Sequence, residues 1–218
     1  LNTLKMNENI KRAKSGIIYI TVMWIGTSYS VTTFSILFAI LGILSIYEML
    51  KLRQGKEKLF ALLYILVPFF LIQLFVFNDI NYPNANFDPS IILLILILTW
   101  TFDTFAYLFG VKFGKHKIMI SISPKKSWEG FAGGFLFTII TAFISSLYLL
   151  SINLQFAIIV SLILPFTATL GDFIASYYKR QAGVKDSGNL IPGHGGILDR
   201  MDAFMITIPA IYTLKNLL

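Results

Sequence analysis

Five stretches of this chain, 32–50, 59–77, 91–111, 131–150 and 154–172, run almost uncharged for the length that an α-helix needs to cross a bilayer. About 20 apolar residues at 1.5 Å per residue cover ~30 Å of hydrocarbon. Two further stretches are weaker: 15–30 carries Gly16, Gly26 and several hydroxyls, and 203–218 is interrupted by Pro209 and closed by Lys215. Together they predict an all-α fold, a polytopic membrane helix bundle of about seven transmembrane helices forming a single integral-membrane domain over 1–218. Composition agrees: 56% of residues are hydrophobic and only 13% charged, whereas a soluble domain is roughly 25% charged. The chain has no Cys, which excludes disulfides, a thiol nucleophile and Cys-ligated zinc.

The connecting segments alternate in charge. Lys5, Lys11, Arg12 and Lys14 precede the first span; Lys51, Arg53, Lys56 and Lys58 follow the second. Lys112, Lys115, Lys117, Lys125 and Lys126 follow the fourth, and Lys179, Arg180, Lys185 and Arg200 follow the sixth. Segments 78–90 and 151–153 have neither Lys nor Arg, so of the 18 basic residues only Lys215 falls on the other side. The positive-inside rule makes the basic side cytoplasmic. The expected location is therefore the cell (inner) membrane, with cytoplasmic catalytic loops. The net charge of +7 is matched to lipid headgroups and phosphates, not to nucleic acid.

The two long cytoplasmic connections, about 110–130 and 173–202, are rich in Gly, Ser, Lys and Asp. Gly lets backbone N–H groups approach an anion, Lys neutralises phosphate, and Asp holds a hard cation such as Mg²⁺. Asp172 closes a span at the membrane surface. Asp199 and Asp202 are three apart where the next span begins, which puts both on one helix face near an N-terminus that favours anions. Such carboxylates beside Lys179, Arg180, Lys185 and Arg200 would hold a divalent cation bridged to phosphates. Pro192-Gly193-His194-Gly195-Gly196 is too glycine-rich for helix and reads as a tight loop able to lie against a phosphate or sugar.

The run from Ser176 through Lys179, Arg180, Lys185-Asp186-Ser187-Gly188, Ile191-Pro192-Gly193-His194-Gly195-Gly196-Ile197 and Asp199-Arg200-Met201-Asp202 resembles the signature of the phosphatidate cytidylyltransferase (CDP-diglyceride synthetase) family. Trp100 to Tyr107, Gly110 to Lys117 and Ser123-Pro124-Lys125-Lys126-Ser127-Trp128-Glu129-Gly130 are similar to that family's middle segment. Three positions depart from the usual pattern: Ala175 replaces a common Glu, Tyr178 an aliphatic residue or Phe, and Val111 an Arg.

The resemblance implies transfer of a cytidylyl group from CTP to phosphatidate, giving CDP-diacylglycerol and pyrophosphate. Two polyanions must meet, so cation-bridged carboxylates and surrounding Lys and Arg offset their repulsion. The residues it implies as catalytic are Asp172, Asp199, Asp202, Lys185 and Asp186, with Asp172, Asp199 and Asp202 as metal ligands. Lys125, Lys126, Ser176, Lys179, Arg180, His194, Gly195, Gly196 and Arg200 are the expected substrate contacts. Mg²⁺ is the expected cofactor, with a second cation left open. CTP, phosphatidate and membrane lipid are the expected partners, with a homodimer left open. A CTP-dependent lipid kinase of the dolichol kinase type, or a secondary transporter with intramembrane carboxylates, is the alternative. Glu48, three residues before Lys51, reads as half of a surface ion pair, and His116 as a solvated loop residue.

Overall fold

The computed structural model describes residues 2–52, 58–77, 87–149, 152–191 and 195–217. His194, Pro192 and Gly193 of the glycine-rich loop lie outside the described residues. Among the described residues seven helices occupy the seven expected positions: α1 Asn2–Ser28, α2 Val31–Leu52, α3 Lys58–Phe77, α4 Ser90–Phe113, α5 Trp128–Tyr148, α6 Leu154–Gln181 and α7 Leu198–Leu217. Among the described residues α2, α4, α5 and α6 are long and apolar enough to cross a membrane, and Leu59–Phe75 is a shorter apolar helix. Among the described residues, length and hydropathy by themselves support four of the seven expected crossings.

Two of the helices, α5 and α6, start where a side chain satisfies a free N–H group. Ser127 Oγ accepts from Gly130 N at 3.2 Å at the start of α5, and Asn153 Oδ1 accepts from Phe156 N at 2.7 Å at the start of α6. Gly183, with φ +70°, follows the end of α6, a left-handed position that costs glycine nothing. Pro209 does not break α7, which runs through it. Its ring removes one N–H, a loss that helices packed in a membrane bundle tolerate.

Two features differ from the sequence expectation. The connection between α4 and α5 contains a small antiparallel hairpin, β1 Lys117–Met119 and β2 Ser123–Ser127, with Lys117 opposite Ser127 and Met119 opposite Ser123. Helix α6 continues past residue 172, the expected end of the span, to Gln181, so Ser176, Lys179 and Arg180 sit on a helix and not in a loop.

Packing follows small residues. A side chain at Gly130 would meet the Ala106 carbonyl at 2.6 Å, and one at Gly134 the Phe102 carbonyl at 2.8 Å, so α5 lies close against α4. Helix α6 packs between α5 and α7, α3 packs on α2 and α7, and α1 reaches α2 and α4. The core includes Phe34, Phe38, Ile65, Leu94, Leu164, Phe204 and Ile208, all essentially inaccessible. Large apolar side chains such as Ile43, Phe70, Val111, Leu136 and Phe166 point outward, as expected where lipid and not water surrounds a bundle. Contacts described below bring the end of α2, the hairpin, the end of α6 and the start of α7 together. Lys215 lies at the far end, 5.5 Å from the Phe75 ring.

Candidate active site

The site is built where the end of α6 meets the start of α7. Asp172, Ser176 and Lys179 are spaced four and three residues apart, so they form a stripe along one face of α6. This stripe faces α7. A side chain at Gly171 would run into the Asp202 carbonyl oxygen, so glycine at this position lets the two helix backbones touch. As a result the carboxyl groups of Asp172 and Asp202 lie within hydrogen-bonding reach of each other. Asp202 Oδ1 also accepts from Ala203 N at 2.8 Å. Ser176 Oγ donates to Asp172 Oδ1 at 3.3 Å. From α3, Tyr64 donates to the Gly171 carbonyl at 2.8 Å and fixes the backbone beside the pair.

Asp199 is placed differently. Its Oδ1 takes a 2.7 Å bond from Lys179 Nζ, and both side chains are only 8% exposed. Its Oδ2 accepts from Ser187 N at 2.7 Å and Gly196 N at 2.9 Å, with Ser187 Oγ at 3.0 Å. Gly195, with φ +83°, turns the chain so that Gly196 can reach that oxygen. Both oxygens of Asp199 are therefore engaged by protein donors. Among the described residues no three of His, Asp and Glu converge on one point. The expected trio of Asp172, Asp199 and Asp202 is instead a pair plus a separate ion pair, because the two α7 carboxyl groups meet different partners along the α6 stripe.

The hairpin supplies the cationic wall. Lys126 Nζ forms an ion pair with Asp172 Oδ2 and lies 5.2 Å from the Phe173 ring centre. Lys117, Lys125 and Lys126 line a cavity of about 600 Å³, together with Asp103 and the apolar Phe102, Tyr107, Val111 and Phe131. Asp103 also borders a smaller cavity of about 300 Å³ that Tyr19, Trp100 and Arg200 line. The hairpin is held from two sides. Arg180 Nε donates to the Ile122 carbonyl at 3.2 Å, and its Nη1 to the Val184 carbonyl at 2.8 Å. Glu129 accepts from Lys115 N at 3.1 Å and His116 N at 3.2 Å and lies 2.6 Å from His116 Nδ1. The backbone N–H of Glu129 itself, with these His116 and Lys115 contacts, lowers the pKa of the Glu129 carboxyl to about 2. His116, expected to be merely solvated, thus ties the hairpin to α5.

The remaining expected residues are Lys185 and Asp186, both exposed on the segment after α6; Asp186 lies beside Gly195.

Spacing did not reveal Glu48. It is not a surface ion-pair partner of Lys51, which stands over the Tyr47 ring at 4.2 Å. Glu48 is 3% exposed. It accepts from Ser187 Oγ at 2.6 Å, Leu198 N at 2.9 Å and Ile197 N at 3.1 Å. An acid near the end of a helix faces the wrong end of that helix's dipole, which is a hint in the sequence that it needs a distant partner. Here the partner is the N-terminus of α7.

The sequence model of the Cytidylyltransferase family matches residues 56–218, which include every residue of the α6–α7 site and the hairpin. A phosphatidate cytidylyltransferase of Staphylococcus epidermidis is 44% identical over 131 residues, 60% of this chain and 50% of that protein. The phosphatidate cytidylyltransferases of Staphylococcus saprophyticus and Staphylococcus aureus are 44% identical over 131 residues and 46% over 132, again covering 60% of this chain and 50% of theirs. The chain spans about half the length of the curated relatives it matches. With three quarters of its residues inside the family match, this helical membrane protein belongs to the cytidylyltransferase family.

Proposed function

We propose that the chain carries the site that transfers a cytidylyl group from CTP to phosphatidate at the cytoplasmic face of the inner membrane. The observation that carries this reading is the mixed cationic and apolar lining of one cavity. Lys117, Lys125 and Lys126 suit a polyphosphate, while Phe102, Tyr107, Val111 and Phe131 suit an acyl chain. The carboxyl group of Asp172 meets that wall through Lys126. The names of the staphylococcal relatives support the same substrates.

In the reaction a phosphate oxygen of phosphatidate attacks the α-phosphorus of CTP. The new P–O–P bond forms as the bond to the β-phosphate oxygen breaks, and pyrophosphate leaves. A lipid phosphate is already ionised near neutral pH, so no strong base is required. Lys125 and Lys126 bind the phosphates and lower the repulsion between the two anions. Lys179, fixed by Asp199, keeps positive charge beside the Asp172–Asp202 pair.

That pair fits a divalent cation. Two oxygen-bearing side chains within hydrogen-bonding reach repel when both are ionised, and hard cations such as Mg²⁺ take oxygen ligands. Asp172 and Asp202 would hold it; Asp199, with both oxygens engaged, would support them. When bound, such an ion supplies charge stabilisation for the phosphates.

The test is product identity. Purified chain in lipid nanodiscs with CTP and phosphatidate should form CDP-diacylglycerol and pyrophosphate, detected by mass spectrometry. Formation of CDP in place of pyrophosphate would point to the kinase alternative, and no turnover would defeat the reading.

A further inference from the structure

The carboxyl group of Glu48 gains nothing from being buried unless its oxygens are used. It sits on α2, before the segment 56–218 that matches the family, yet it touches the segments that hold Asp199. Oε1 accepts from Ile197 N, and Oε2 accepts from Leu198 N and Ser187 Oγ. A side chain at Gly188 would meet Oε1 at 2.5 Å, and one at Gly196 would collide with Oε2. The backbone on both sides of the motif therefore closes around this one carboxyl group. Ser187 then passes the constraint on, since its N–H and hydroxyl face Asp199 Oδ2 while the hydroxyl also meets Glu48.

We infer that Glu48 is a positioning residue: through Ser187 and the first N–H groups of α7 it sets where the Asp199–Lys179 pair stands beside Asp172 and Asp202. This rests on the proposed transfer reaction for its consequence in turnover, but the structural step is independent of it. Glutamine is the informative replacement. It has one acceptor oxygen where Glu48 uses two. In either orientation its NH₂ faces a backbone N–H, that of Ile197 or that of Leu198. Aspartate keeps two acceptor oxygens on a shorter stem.

The experiment compares wild type, Glu48→Gln and Glu48→Asp in nanodiscs, by steady-state kinetics and by hydrogen exchange at single amides. Glu48→Gln should lose at least tenfold in kcat, with KM for CTP within about threefold of wild type. Exchange should accelerate at least tenfold at Ser187, Ile197 and Leu198, while amides in α4 and α5 stay unchanged. Glu48→Asp should recover part of both. A residue that only stabilised the bundle would instead speed exchange throughout α2, α3 and α7 and lower the active fraction without changing kcat per active site. Wild-type exchange at Ser187, Ile197 and Leu198 in Glu48→Gln would overturn the inference, as would wild-type kcat. If the wild-type chain forms no CDP-lipid, the proposed reaction fails, and the exchange pattern alone decides whether Glu48 positions the motif.

Discussion

Asp199 and Asp202 stand one helical turn apart, and their surroundings give them opposite energetics. Asp199 is buried with a cation and two backbone donors. Removing one partner of such a pair leaves the other charged and desolvated, at a cost of about 3–5 kcal/mol. Asp199→Asn should therefore lower thermal stability clearly, measured by the unfolding temperature in detergent, and lose turnover with it. Asp202 faces another carboxyl group, that of Asp172. Two carboxyl groups this close must either share a proton or repel, and an amide at 202 removes that conflict, so Asp202→Asn should match or exceed wild type in the same unfolding measurement. A large destabilisation of Asp202→Asn would contradict the pairing. The sequence placed both acids on one face correctly but gave no way to tell them apart. That distinction depends on Lys179, Ser187 and Gly196, which reach Asp199 only after the chain has turned at Gly195.

At the scale of elements, the contact of α6 with α7 governs the site. Thr167 and Thr207 hydroxyls meet at 2.9 Å within this contact, and Gly171 packs on the Asp202 carbonyl. Gly171→Ala must push the helices apart, and overpacking of this kind costs about 1–3 kcal/mol. The expected result is a lower unfolding temperature and at least a tenfold loss of turnover. Leu170→Ala, one residue away but 53% exposed on the outer surface, should leave turnover within about twofold. Equal effects of the two substitutions would show that close approach at Gly171 does not set the site. The existence of these helices was legible from apolar length alone. Their ends were less so, because nothing in an apolar count stops α6 at the membrane surface when Ser176, Lys179 and Arg180 all find partners further along it. The hairpin was also hidden: its strands are short, and its hold on the bundle comes from Arg180 and Glu129.

For the whole molecule, charge asymmetry is the organising fact. Lysines of the hairpin and of α6 gather at one end of the bundle, and Lys215 lies at the other. The chain contains no Cys, so single introduced cysteines report sidedness without background. Ile120, 70% exposed at the hairpin tip, and Tyr148, 79% exposed at the end of α5, should label from opposite sides when each is replaced by Cys. In sealed vesicles, a membrane-impermeant maleimide should reach Ile120→Cys only from the cytoplasmic side. Labelling of both from one side would overturn the arrangement. Loop charge is legible without any long-range contact, and the labelling tests the side it assigns. Glu48 was the least legible, because its partners Ser187, Ile197 and Leu198 lie far along the chain.

In the proposed reaction the Asp172–Asp202 pair, beside the lysine-lined cavity, supports cytidylyl transfer with a divalent cation. The most direct test of this is the transfer of label from α-³²P CTP into phosphatidate, followed across a Mg²⁺ titration for wild type and Asp202→Asn. Wild type should be silent in chelator and saturate with Mg²⁺. The variant should be at least a hundredfold slower at every concentration, the scale expected when a transition-state charge contact is lost. Wild-type transfer that persists in chelator, or an Asp202→Asn variant running at the wild-type rate, would contradict it.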